Sequence, residues 1–320
     1  MSDLPIRFDE LPTHDGGRIG VATLNAPKSL NALSLEMVHQ LQAKLDTWAM
    51  DRSIVAVWLE GNGDKAFCAG GDVVALYRSL TEEGDNRGSG RNSLLAETYF
   101  TAEYRLDHRI HTYPKPLLVW GDGIVMGGGL GLMAGGFQRI VTETTRIAMP
   151  EITIGLYPDI GASWFLNRMP PGVGAYLGLT GAQLNARDAL DLGMADRFIP
   201  RERRGLVLSS LTESDYGDRS GPALRGAVQQ ALDLHEARDG APKGQVWPNL
   251  DHLQALVGAV DAPTAVRRIL ADTRAPGRRL PAQRPAGLAD AGPPRAYQPG
   301  GCLPRRAGAL GPVLPTRRLR

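Results

Sequence analysis

Cysteine is nearly absent from this chain. Only Cys68 and Cys302 occur in 320 residues, and they lie far apart. Such usage supports neither a disulfide framework nor a thiolate zinc site, and a reducing cytoplasm is the expected compartment. Long apolar runs are missing too, since no window approaches the roughly 18 uninterrupted apolar residues of a membrane span. Residues 1–18 carry acids and no apolar core, so no secretory signal is expected. No basic stripe with interleaved aromatics runs through the body of the chain, and a nucleic-acid partner is not expected. What remains, 42% hydrophobic and 22% charged residues, is the profile of an ordinary globular protein. The length suits one large domain, or one domain with an appendage, and is ample for a sizeable core.

The net charge of +2 conceals an asymmetry. Residues 275–320 hold nine Arg against one acid, Asp290, a net of +8. The other 27 bases and 33 acids leave residues 1–274 at −6. The same segment has nine Pro, seven Gly and no apolar periodicity. Such a composition buries too little surface to offset chain entropy. Three readings stay open: a basic tail for an anionic partner, an extension without a fixed fold, or a frameshift near codon 275, because GC-rich DNA read out of frame yields Arg, Pro, Gly and Ala. The expected organisation is a catalytic core over 1–200, a helical region over 201–274 and the Arg/Pro/Gly-rich tail over 275–320.

Within the body, strand and helix patterns alternate, which predicts an α/β architecture. Residues 17–24 and 54–61 read as strands, the second as a compact apolar run closed by Gly61-Asn62-Gly63. Between them Ser34 has the position of an N-cap. Met37, Val38, Leu41, Leu45, Trp48 and Ala49 then recur at helical spacing over 35–50. Residues 66–77 pass from a small-residue loop into a helix, 84–90 form a polar Gly-rich loop expected to be mobile, and 93–112 and 174–195 read as helical. Residues 123–136 are the most Gly-dense stretch, followed by two strand-like runs, and the region up to about Arg274 reads as helices joined by polar loops.

Two Gly-rich loops stand out chemically: Cys68-Ala69-Gly70-Gly71-Asp72 and Gly127-Gly128-Gly129-Leu130-Gly131. Each follows an apolar strand-like run, and neither carries bulky side chains that block approach to the backbone. Two such loops on one core are suited to aim amide N–H groups at a carbonyl oxygen where negative charge develops. Packing or tight turns explain either loop taken singly. Residues 129–134 also fit G-x-G-x-x-A, with Glu151 20 residues past Gly131. A dinucleotide fingerprint is rejected, because the match begins inside the loop and lacks a clear following βαβ unit. Further on, Glu151 and Asp159 sit in an otherwise apolar, Gly/Pro-rich stretch. Partial desolvation there raises a carboxyl's pKa and makes it a better acid or base near neutrality, although a solvated loop carboxylate fits the local pattern equally.

Taken together, NAPKSLNALSLEM (25–37), KAFCAGGD (65–72), GIVMGGGLGL (123–132) and MPEITIGLYPDIGASWFL (149–166) resemble the crotonase (enoyl-CoA hydratase/isomerase) family, and within it the 3-hydroxyisobutyryl-CoA hydrolase branch. The resemblance implies a spiral of ββα units with a helical C-terminal region, and a CoA ester held with its carbonyl in an oxyanion hole. By position it implies the Gly71 and Gly128 amides as the hole, Glu151 and Asp159 as catalytic, and Glu103, Ala32, Leu33 and Ala69 as substrate contacts. For Glu103 the sequence context alone favours a solvated helix face. The family's hydratases carry a Glu where Gly131 stands here, and its dienoyl-CoA isomerases an Asp, so a hydrolase is the implied activity.

The implied reaction is hydrolysis of a short branched 3-hydroxyacyl-CoA thioester, as in valine breakdown. An enoyl- or dienoyl-CoA isomerase and an inactive CoA-binding homologue are the alternatives. No metal or separate cofactor is implied, since CoA belongs to the substrate. No membrane partner is expected, and homo-oligomerisation stays open. Family members end in helices that pack near the acyl pocket, a pattern that 275–320 lacks.

Overall fold

Residues 4–82, 94–258 and 260–272 are described by a computed structural model. The loop expected at 84–90 and the tail at 275–320 lie outside the described residues. Along the chain come β1 (Ile6–Pro12), β2 (Arg18–Leu24), α1 (Leu35–Met50), β3 (Ile54–Gly61), β4 (Ala66–Cys68), α2 (Val73–Glu82) and α3 (Leu94–His111). Next are β5 (Leu117–Gly121), β6 (Ile124–Met126), α4 (Gly128–Ala134), β7 (Gln138–Val141), β8 (Arg146–Ala148) and α5 (Ala162–Leu166). They are followed by α6 (Val173–Thr180), α7 (Ala186–Asp191), β9 (Arg197–Phe198), α8 (Arg204–Glu213), α9 (Gly221–Asp233), α10 (Leu250–Val257) and α11 (Ala262–Ala271).

The strands build two sheets. One has the order β1-β2-β3-β5-β7-β9 and the other β4-β6-β8. Apart from the antiparallel β1–β2 pair, the ladders are parallel. Each successive turn of the chain gives one strand to the large sheet and the next to the small one: β3 then β4, β5 then β6, β7 then β8. The result is a spiral of ββα turns, and the ends of β4 and β6 come to lie side by side. The sheet interior is largely apolar on both faces, as β3 shows with six consecutive buried apolar residues, Ile54 to Leu59, before the buried Glu60, the burial expected of a parallel strand covered twice. One core cluster centres on Met37, Leu41 and Trp48 of α1, with Leu106 and Ile110 of α3. The other packs Trp58 and Trp120, stacked at 5.4 Å, against Leu211 of α8 and Val228 of α9.

Local chemistry sets the boundaries that matter for the site. The Ser34 side chain accepts the Met37 amide, so α1 starts where its N-cap predicts. Two expectations are corrected. Residues 127–131, read as a Gly-rich loop, are mostly helix: β6 leads through Gly127 directly into α4. Glycine is a poor helix former, but a side chain at Gly129 would overlap Cys68, so packing decides. Residues 174–195 are two helices rather than one, broken at Gly181, whose φ of +63° ends α6. The strand β1 has no counterpart in the sequence reading.

One loop residue holds the first site segment in place. Asn31 is fully buried with φ +56°, a left-handed backbone that Asn tolerates better than most residues. Its Oδ1 accepts the Ala26 amide at 2.9 Å, and its Nδ2 donates to the carbonyls of Asn62 at 3.0 Å and Ala66 at 2.9 Å. Asn31→Ala removes all three bonds and strands buried partners, so the unfolding free energy measured by urea titration is expected to fall by about 2–4 kcal/mol. A change below about 0.5 kcal/mol, the scale of an ordinary surface substitution, contradicts this account of the loop.

Candidate active site

The adjoining ends of β4 and β6 release two backbone segments toward each other. Gly70 has φ +113° and Gly127 φ +50°, conformations in which a side chain is strained. A Cβ on Gly70 would lie 3.6 Å from the Gly128 nitrogen, and one on Gly128 would lie 3.5 Å from the Gly71 nitrogen. The two amides are therefore neighbours. Among the described residues neither donates a backbone hydrogen bond, whereas Gly127 N–H is tied to Ala148 at 3.3 Å and Asp72 N–H to Leu33 at 2.9 Å. Gly128 is also the first residue of α4, where intrahelical acceptors are missing.

The segments expected to contact substrate lie beside this pair. Ala69 N–H donates to Leu30 at 3.0 Å and Leu33 N–H to Gly70 at 2.8 Å, and Leu33 bridges Gly71 in parallel. Leu33 itself is fully buried with both backbone groups engaged, so it shapes the first loop from behind. Ala32 and Ala69 are half-buried at its front.

Three acids converge on the amide pair. Glu151 opens a short 3₁₀ turn, Glu151–Ile154, directly after β8. It is 7% exposed, its Oε2 has no hydrogen-bond partner among the described residues, and its Oε1 would lie 3.1 Å from a Cβ on Gly127. Burial, reinforced by Asp159, pushes its carboxyl up to about 7. Glu103, from α3, is 2% exposed and accepts Tyr99 Oη at 3.1 Å. Any side chain at Gly128 would overlap its Oε1, which gives that glycine a steric reason independent of φ. Burial raises Glu103 to about 7 as well, against the lowering effect of the Tyr99 hydrogen bond and with a further rise from Asp159 and Glu151. The solvated helix-face reading of Glu103 is thereby corrected: α3 turns this acid inward. Asp159 is half-buried, and its Oδ2 accepts Tyr104 Oη at 2.7 Å. The next residue, Ile160, has φ +45°, a strained conformation for a β-branched side chain, and it directs the chain past the site into α5.

The sequence reading missed Tyr99 and Asp107 and gave Tyr104, paired with Glu103 in the resemblance, no role of its own. A four-residue spacing puts Tyr99, Glu103 and Asp107 on one face of α3, and that signal was available. Both oxygens of Asp107 are shielded from solvent and lack partners among the described residues, although the residue as a whole is half-buried. Beyond the amide pair, a cavity of 490 Å³ is lined by Asp107, Gly131, Ile160, Trp164 and Phe165 among others. Glu151 and the two amides are not in its wall, so the cavity begins one helical turn along α4 from Gly128. The dinucleotide fingerprint stays rejected for a better reason: residues 129–134 lie inside α4 rather than in a strand-to-helix turn.

The raised carboxyls of Glu103 and Glu151 tie stability to pH. Folded pKa values above the unfolded ones mean that the native state holds more protons between about pH 4.5 and 7. Stability contributed by these groups is therefore present at low pH and lost as pH rises through about 7. Glu103→Gln is expected to raise Tm at pH 8 by a few degrees and to change it little at pH 4.5. Equal shifts at both pH values would remove ionisation as the cause.

Comparison with known proteins gives the family. The enoyl-CoA hydratase/isomerase family model matches residues 19–288. A mitochondrial 3-hydroxyisobutyryl-CoA hydrolase of Danio rerio is 41% identical over 220 residues, 69% of this chain and 54% of that protein. Its counterpart in Xenopus tropicalis is 35% identical over 277 residues, 87% of this chain and 68% of that protein. Against the zebrafish relative, then, the chain spans about half the length. Among solved structures, a carnitinyl-CoA dehydratase from Mycobacterium thermoresistibile superposes with a TM-score of 0.69 at 32% identity, covering 82% of this chain and 70% of that one. With its spiral of ββα turns and paired glycine amides, the chain belongs to the enoyl-CoA hydratase/isomerase family.

Proposed function

We propose that this protein hydrolyses a short branched 3-hydroxyacyl-CoA thioester, with 3-hydroxyisobutyryl-CoA as the reference substrate, as in valine breakdown. The observation that carries the proposal is the meeting of two amides and a buried Glu151 carboxylate oxygen, none of which has a hydrogen-bond partner among the described residues. The hydrolases named above supply the substrate class.

In this reading the thioester carbonyl oxygen accepts from the Gly71 and Gly128 amides, which stabilise the oxyanion as charge develops. Ionised Glu151 either takes a proton from water, whose oxygen adds to the carbonyl carbon, or adds directly to give an anhydride that water then cleaves. In both routes the C–S bond breaks and the CoA sulfur leaves with a proton. Asp159, held by Tyr104, orients the acyl group or the water. Glu103 braces the start of α4 and closes the rear of the acyl site. CoA itself runs past Ala32 and Ala69 toward a 300 Å³ hollow whose lining includes Lys28 and Lys65, cations suited to its phosphates, beside Asn62 and Asp64. The cytoplasm remains the proposed compartment, on cysteine usage alone: buried Cys68 is free.

Free-thiol release from 3-hydroxyisobutyryl-CoA tests the proposal, because an isomerase liberates no CoA. Thiol release is expected from the wild type, and Glu151→Gln is expected to lower kcat by at least about a thousandfold, the scale on which an essential acid–base group acts. With Glu151 required as its anion, kcat/KM should rise with pH and level off above about 7. Absence of thiol release across a panel of acyl-CoA esters, or an unchanged rate in Glu151→Gln, overturns the proposal.

A further inference from the structure

Asp107 is a half-buried acid with solvent-shielded oxygens that the mechanism above does not use. It lies one turn beyond Glu103 on α3, and both of its oxygens are screened from solvent without a partner among the described residues. A carboxyl left in that state is costly unless something else hydrogen-bonds to it. Its position follows from a glycine. A Cβ at residue 131 would lie 2.8 Å from each Asp107 oxygen, so only the bare backbone of Gly131 leaves room for the group. Gly131 stands one turn past Gly128 on α4, and both Gly131 and Asp107 line the 490 Å³ cavity. The same wall carries the apolar Ile160, Trp164 and Phe165 and the basic His108, His111, Arg139 and Arg168.

We propose that Asp107 selects for a hydroxyl on the acyl group, its carboxyl donating to and accepting from the 3-hydroxyl of a thioester whose carbonyl lies on the Gly71 and Gly128 amides. The inference rests on the hydrolase reading for its substrate class. Burial, with Glu103 and Asp159 adding to it, holds the Asp107 carboxyl well above the usual carboxylate range. That burial favours the protonated form, which has one O–H donor and a free acceptor oxygen. A hydroxyl supplies the complementary acceptor and donor. A methyl or methylene in its place leaves both Asp107 functions unpaired, which is how a buried polar site rejects an analogue that lacks one hydroxyl.

The test compares 3-hydroxyisobutyryl-CoA with isobutyryl-CoA, which differ only in the hydroxyl, on the full chain. The wild type is expected to favour the hydroxylated ester in kcat/KM by about a hundredfold or more. In Asp107→Leu, similar in shape but unable to hydrogen-bond, the preference should fall to within about threefold, and Asp107→Asn, which keeps a donor and an acceptor, should restore most of it. The same preference is read as a ratio of Kd values by calorimetry in a Glu151→Gln background, where turnover does not interfere. If no ester releases CoA but the Kd ratio still depends on residue 107, the hydrolase reading fails and this inference stands. If CoA is released and Asp107→Leu lowers both esters equally, or leaves the preference intact, residue 107 is only a packing residue and the inference is overturned. Should Asp107→Leu not fold, the wild type and Asp107→Asn still decide: a wild type without hydroxyl preference, or an Asn variant that loses it while folded, overturns the inference.

Discussion

The site depends on how closely two backbone segments can approach. Gly70-Gly71 leaves β4 and Gly127-Gly128 leaves β6, and the parallel pairing of those strands brings the two exits together. No side chain fits between them. Gly70 and Gly127 hold conformations that strain any L side chain, and Gly128 is pressed against Glu103. What the missing side chains leave is a pair of amide donors with no acceptor among the described residues, fixed by the spiral before any ligand arrives. Donors that need no reorganisation are the most effective way to stabilise a developing oxyanion.

Around this pair the fold places acids where water is scarce. Glu103 and Glu151 are buried by different elements, α3 and the turn after β8, and each is pushed up to about 7. Repulsion from Asp159 adds to the effect of burial on both, and Glu151 adds further to that on Glu103. The arrangement costs stability at neutral pH, and the surrounding structure offsets it through ordinary packing: the Trp48-centred cluster on one side of the large sheet and the Trp58–Trp120 stack on the other. Asn31, Tyr99 and Tyr104 then hold individual pieces in position. The chemistry thus belongs to loop ends and one helix face, while the sheets hold those pieces in register.

Much of this was legible from residue order. The N-cap at Ser34, the apolar stripe of α1 and the unbroken hydrophobic run of β3 are local signals, and they located those elements to within a residue or so. The four motifs pointed to the glycine pair and to Glu151 and Asp159 because their spacing along the chain is set by the spiral. Other features were hidden for physical reasons. The strand β1 alternates polar and apolar residues and ends in Pro12, so it looks like a loop until β2 pairs with it. The helix α4 contains three of the four glycines at Gly127–Gly129 and Gly131 that should disfavour it, and it exists because Cys68 and Asp107 leave no space for anything larger. Tyr104 and Asp107 could be placed on a helix, but not opposite Asp159 and Gly131, since those contacts cross 55 and 24 residues of chain.

The central claim is geometric, and a crystal structure of the Glu151→Gln variant with an intact acyl-CoA ester tests it most directly. The account predicts the thioester oxygen within about 2.7–3.1 Å of both the Gly71 and Gly128 nitrogens, with the residue 151 side chain on the carbonyl carbon. A carbonyl bound elsewhere, or one touching a single amide with residue 151 turned away, contradicts it.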